Sequence, residues 1–191
     1  MTSADEAAPP SPARLWPTLV VVTGPAGSGK TTLAHRLART IGCPAICRDE
    51  IKEGMVHAHG PGFTAAVGDP LTRRTYPLVF DVVRLLLDGG VTVVVEAAWE
   101  HHPWERGLAP LATSADLRVI RCHTPHEEML RRQEQRLEKV ATRAAHNDRG
   151  SHSTERPVAW EAIHIDAPTL DVDTSDGYVP ELDRIVAFIN T

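Results

Sequence analysis

Leu19-Val20-Val21-Val22-Thr23-Gly24-Pro25-Ala26-Gly27-Ser28-Gly29-Lys30-Thr31-Thr32-Leu33 decides how this chain folds. Leu19–Thr23 is a run of branched apolar residues, as in a strand buried on both faces of a sheet. Gly24–Thr31 fits G-x-x-x-x-G-K-[ST], and Leu33, Leu37 and Ile41 then recur at helical spacing until Gly42, which suits a helix C-cap. Strand, glycine-rich loop and helix N-terminus in this order form an anion cradle. The glycines let backbone N–H groups curl around a β-phosphate, and the helix dipole adds positive charge. The segment expected to hold a nucleotide is therefore Gly24, Pro25, Ala26, Gly27, Ser28, Gly29, Lys30 and Thr31, with Thr32 supporting the first helical turn. In this reading Lys30 reaches the β/γ oxygens and the Thr31 hydroxyl ligates Mg²⁺.

Outward from this stretch, short apolar runs alternate with amphipathic ones, the pattern of an α/β chain whose parallel sheet is covered by helices on both faces. Further strands are expected at Ala45–Cys47, Val91–Val95, Leu117–Cys122 and Leu170–Val172, and further helices at Leu78–Asp88, Pro125–Val140 and Pro180–Ile189. Val56–Pro70 and Thr142–Pro157 carry no clear pattern and exceed ordinary loop length, as lids and binding loops do.

The 191 residues carry 20 Lys+Arg against 25 Asp+Glu, a net charge of −5, which argues against polyanion binding as the main activity. The acidity is uneven: Arg118–Arg156 holds nine basic residues against six acids. Residues 1–17, with four prolines among alanines and acids, have neither the basic nor the apolar region of a signal peptide and are expected to form a disordered leader. Residues 18–191 are expected to form one domain. No apolar run approaches the ~20 residues of a membrane span. Three cysteines without a CxxC pair suit reduced thiols, so a cytoplasmic setting is expected.

Neither Asn-Lys-x-Asp nor Asp-x-x-Gly occurs, which removes GTPase switches and leaves a compact phosphotransferase as the better reading. Arg48-Asp49-Glu50-Ile51-Lys52 follows the second strand at the carboxyl edge of the sheet, where ligands bind in open α/β folds. Asp49 there can accept the proton of an attacking hydroxyl, or can cap a helix starting near Glu50. Lys52, one turn on, is either a charge-neutralising contact to substrate or a surface lysine.

The loop Gly24–Thr31 together with Arg48–Lys52 resembles the small P-loop kinases related to polynucleotide 5′-kinases and chloramphenicol phosphotransferase, a group with an AAA-like core. The resemblance runs from about Leu19 to Ile189. It implies a three-layer P-loop fold with a five-stranded parallel sheet in the order 2-3-1-4-5, a helical lid at about residues 125–157, and ATP with Mg²⁺ as donor. Asp49 matches the general base of the polynucleotide-kinase branch. Lys52 stands where that branch carries an acceptor-contacting Arg, and because Lys lacks the planar bidentate fork, the replacement argues against polynucleotide substrates.

Glu96, after the third strand, matches the acid that serves magnesium in such kinases, although Asp is commoner there; its longer reach also suits the acceptor. Trp99 and His101-His102-Pro103-Trp104 are expected to wall an acceptor pocket. In the lid, Glu127, Glu128 and Glu134 account for Arg131, whereas Arg132 and Arg136 form a like-charge pair one turn apart that phosphate oxygens would relieve. Arg143 is expected to close over the nucleotide. The ten histidines show no ligand spacing for a transition metal.

The expected function is an ATP-dependent kinase acting on a hydroxyl of a small molecule such as a sugar, nucleoside or antibiotic, with neither nucleic acid nor membrane as partner. A polynucleotide 5′-hydroxyl kinase and a non-catalytic ATP-binding sensor or partner-binding module are the alternatives.

Overall fold

The computed structural model describes residues 16–60, 62–66, 68–139, 146 and 160–191. Five strands, β1 (Thr18–Thr23), β2 (Ala45–Cys47), β3 (Val93–Ala97), β4 (Asp116–His123) and β5 (Thr169–Asp173), pair in parallel in the order β2-β3-β1-β4-β5. The helices are α1 (Lys30–Ile41), α2 (Arg48–His59), α3 (Pro70–Asp88), α4 (His101–Leu108), α5 (His126–Lys139) and α6 (Leu182–Ile189). This is the three-layer P-loop fold expected from the sequence.

Alternate residues of a strand face opposite layers. Leu19 and Val21 of β1 pack with Val79, Phe80 and Val83 of α3 and Trp104 of α4, while Val20 and Val22 pack with Leu33 and Leu37 of α1 and Ile185 and Ile189 of α6. Each such Leu, Ile or Val, fully withdrawn from water, contributes about 1.5–3 kcal/mol. Both faces of β1 are thus sealed, and its carboxyl end opens directly into the glycine-rich loop.

Several boundaries differ from the sequence expectation. Helix α2 continues to His59, so the first part of Val56–Pro70 is helical and places His57 and His59 on an exposed turn. Helix α3 starts at Pro70 instead of Leu78 and carries Pro77 inside it. Its start is fixed by Asp69, whose side chain accepts the Thr72 N–H, and by proline at the first helical position, where no amide donor is needed. Strand β3 ends at Ala97, two residues beyond the expected Val95. Helix α4 was not foreseen: Trp104 is fully buried and donates to Thr23 Oγ1 at 2.9 Å, so it belongs to the core and not to a pocket wall. The leader to residue 15 and most of Thr142–Pro157 lie outside the described residues. Among those described, no helix is long and apolar enough to cross a membrane.

Candidate active site

The site sits at the carboxyl edge of β1, β2 and β3. Gly24, Gly27 and Gly29 adopt positive φ. A Cβ on Gly27 would lie 2.6 Å from the Met129 carbonyl of α5, and one on Gly24 would lie 2.5 Å from the Cys122 carbonyl, so the loop is packed too closely for any other residue. Helix α1 begins with Gly29 as N-cap, without a side-chain cap and without an acid in its first turn. Its first N–H groups and its dipole are therefore left to an anion.

A cavity of about 470 Å³ opens over this terminus. It is lined by Gly27, Gly29, Lys30, Thr31, Thr32 and Arg36 of the loop and α1, by Arg132, Gln135 and Arg136 of α5, and by Thr174, Gly177 and Tyr178 after β5. The Arg36 guanidinium lies 5.6 Å from the centre of the Tyr178 ring. Tyr178, Arg36 and Gln135 escaped the sequence reading because they are scattered over two helices and a loop with no shared motif.

Lys30 donates to the Pro25 carbonyl at 3.3 Å and lies 3.7 Å from Glu96 Oε1, while Thr31 donates to Glu96 Oε2 at 3.0 Å. Glu96 is only 3 % exposed. Its carboxyl is pushed up by burial, pulled down by Lys30, pushed up by Asp49 and steadied by the Thr31 hydroxyl. The β1–β3 register that pairs Val22 with Glu96 and Thr23 with Ala97 makes this contact possible. Thr31 and Glu96 offer two hard oxygen donors 3.0 Å apart, the separation of neighbouring ligands around an octahedral cation with bonds of about 2.0–2.1 Å. This pair fits Mg²⁺, which prefers few protein oxygens and completes its shell with water and phosphate.

Asp49 is the second residue of α2, whose N-cap is Cys47, so the capping alternative does not hold. Its Oδ1 accepts from Arg48 at 2.7 Å and lies 3.9 Å from His146 Nδ1, and the carboxylate is about one-third exposed. His146 Nε2 lies 3.2 Å from Glu53 Oε1. Neither His146 nor Glu53 was singled out in the sequence, since the contact joins positions 93 residues apart.

Lys52 is no surface lysine. Its ammonium donates to Asp69 Oδ2 at 2.8 Å, both side chains are 3 % exposed, and the Phe63 ring lies 5.8 Å away. The pair ties α2 to the N-cap of α3. Trp99 is half-buried in a cluster with Tyr76, Phe80 and Trp104, stacked on Phe80 at 5.3 Å. In α5, Arg132 donates to Glu128 at 2.6 Å and to the Thr174 and Ser175 carbonyls at 2.8 and 2.9 Å, so it anchors the helix to the loop after β5. Arg136 Nε lies 3.4 Å from the Arg132 carbonyl, and Gln133 donates to the Ala26 carbonyl at 2.8 Å. Arg143 lies outside the described residues.

A family model described as AAA domain matches residues 19–157. The chain belongs to that family. No curated protein matches it in sequence. Among solved structures, this AAA-domain chain is similar to a candidate kinase from Chloroflexus aurantiacus, with 21 % identity over 91 % of this chain and 97 % of that one and a TM-score of 0.74. It is also similar to the Mycobacterium tuberculosis APS kinase in complex with AMPPNP and APS, at 17 % identity, 92 % and 99 % coverage and a TM-score of 0.63. A chain of the Pnkp1/Rnl/Hen1 RNA repair complex matches at 21 % identity over 75 % of this chain and 44 % of that one, with a TM-score of 0.55. At such identities the likeness establishes the fold, which is the kinase-like P-loop fold.

Proposed function

We propose that this protein is an ATP-dependent kinase that transfers the γ-phosphoryl group to a hydroxyl of a small molecule. The observation that carries this reading is the order of groups along the sheet edge: the glycine loop and Lys30, then Thr31 with Glu96, then Asp49. That order parallels the path from donor phosphates through cation to acceptor.

In this account the α1 amides and Lys30 hold the β- and γ-phosphates. Thr31 and Glu96 hold Mg²⁺, which when bound neutralises charge developing on the phosphate oxygens. Asp49 accepts the proton of the acceptor hydroxyl as its oxygen attacks the γ-phosphorus, and the bond to the β–γ bridging oxygen breaks to release ADP. Arg136 faces the transferring group from the lid. Arg132 keeps the lid helix in place while its free edge borders the same cavity. Trp99, Lys52 and Asp69 shape and brace the acceptor side, and Arg143 belongs to the closing segment. Residues 18–191 act as one domain with a lid at about 125–157.

The acceptor side favours a neutral or cationic hydroxyl compound. Asp49, Glu50 and Glu53 line the first turns of α2, while Lys52 is committed to Asp69 and Arg48 to Asp49. A polynucleotide 5′ end would meet this run of acids, which disfavours phosphate contacts there.

A panel of sugars, nucleosides, aminoglycoside-type compounds and oligonucleotides, scored by ADP release and by phosphoester formation in ³¹P spectra, tests the proposal. Stimulation by a neutral or cationic member is expected. Stimulation by oligonucleotides alone supports the polynucleotide alternative, and ATP binding without stimulation by any member supports the sensor.

A further inference from the structure

Three donor atoms from three elements converge at the end of β2, beside Glu96. His35 projects from α1, Cys47 ends β2, and Glu50 lies in the first turn of α2. His35 Nε2 lies 2.6 Å from Glu50 Oε1 and 3.6 Å from Cys47 Sγ, and the three ligand atoms all fall within 4.8 Å of one another.

A single imidazole nitrogen faces both neighbours. It lies between the Glu50 carboxylate and the Cys47 thiol, which also hydrogen-bonds Glu96. A cation among the three satisfies all of them at once. The geometry suits tetrahedral coordination: bonds of about 2.3 Å to sulfur and 2.0–2.1 Å to nitrogen put those two ligands about 3.5 Å apart, close to the observed separation. Cys47 is rigid, being buried at a strand end, whereas His35 and Glu50 are 41 % and 50 % exposed and can swing apart from their 2.6 Å contact. Their exposure also gives an ion an entry path and leaves a fourth position for water.

We propose that His35, Cys47 and Glu50 form a binding site for a thiophilic divalent cation such as Zn²⁺, distinct from the Mg²⁺ pair Thr31 and Glu96. On binding, the Cys47 S–H bond breaks, its proton leaves to solvent, and the thiolate sulfur bonds the metal. Thiolate and carboxylate together balance the charge of the ion. A thiolate–imidazole–carboxylate set selects zinc-like ions over magnesium, which takes oxygen donors. The occupied site staples α1 to the first turn of α2, next to Asp49, and so couples this ion to the placement of the proposed base.

The test uses the full chain, stripped with a chelator and titrated with Co²⁺ in the presence of excess Mg²⁺. One equivalent of Co²⁺ is expected to give a thiolate-to-cobalt charge-transfer band with intense tetrahedral visible bands, which Zn²⁺ then bleaches. Cys47→Ser and His35→Gln are expected to lose these bands, and Thr31→Ala to keep them. His35→Gln alters an exposed side chain, so its result stands even if Cys47→Ser folds poorly. Absence of a charge-transfer band in the wild type, or its persistence in Cys47→Ser or His35→Gln, overturns the site.

Discussion

Thr31 and Glu96 are 65 positions apart in sequence, yet the Thr31 hydroxyl donates to Glu96 Oε2 at 3.0 Å. Parallel pairing of β1 with β3 delivers the acid to the first turn of α1, and burial holds it there. If this pair serves magnesium, Glu96→Gln raises the Mg²⁺ concentration needed for tight ATP binding by about tenfold or more, a magnitude typical of perturbing groups around a bound metal. Calorimetric ATP titrations at stepped Mg²⁺ measure this; metal-free nucleotide affinity is expected to stay within about twofold, since about 0.4 kcal/mol or less is then at stake.

The Lys52–Asp69 pair predicts a stability effect. Lys52→Met leaves the Asp69 carboxylate buried with its ion partner removed, at an expected cost of about 3–5 kcal/mol. Lys52→Met combined with Asp69→Asn recovers much of that loss, because no charge is then stranded. Urea unfolding of the two variants and the wild type checks the order.

The same pair sets an acid limit. Burial alone would raise the Asp69 carboxyl, but hydrogen bonds from Lys52 and Thr72 outweigh it and hold the group at about 2, below its ordinary 3.8. A carboxyl held low in the fold contributes fully above its unfolded value, and that contribution is lost as pH falls toward about 2. Asp69→Asn is therefore less stable near neutrality but loses less between pH about 4 and 2 than the wild type, as thermal melts across that window would record.

Arg132 and Arg136 are predicted to separate kinetically. Arg136→Ala lowers kcat by about 10³ with little change in KM for ATP, as for an arginine that stabilises charge in the transferring group. Arg132→Ala releases the contact of α5 with Thr174 and Ser175, and so raises KM as well as lowering kcat. Steady-state kinetics on both variants decide the assignment.

The phosphate loop was legible in the sequence because its chemistry is local: glycines, lysine and threonine act through backbone turns within eight residues. β1 and α1 followed from the same stretch. What escaped was set by tertiary contacts. The run Val91–Val95 reads as a strand by composition, but the sheet register uses Val93–Ala97, since Lys30 and Thr31 provide polar partners that let Glu96 sit inside. The expected helix began at Leu78, yet the apolar stripe of Val79, Val83 and Leu87 extends back through Thr75 and Leu71 and keeps one helix across Pro77. Lys52 was open between a substrate contact and a surface lysine because its partner, Asp69, lies 17 residues away across a segment without a periodic pattern. Arg132 was read with Arg136 as a repelled pair, whereas carbonyls 42 and 43 residues downstream hold it.

Asp49 carries the central claim. Acceptor-stimulated ADP release, measured at saturating Mg²⁺-ATP alongside ATP affinity, is predicted to fall by about 10²–10⁴ in Asp49→Asn while ATP binds as tightly as before. An undiminished rate, or loss of ATP binding together with activity, would contradict its role as the base.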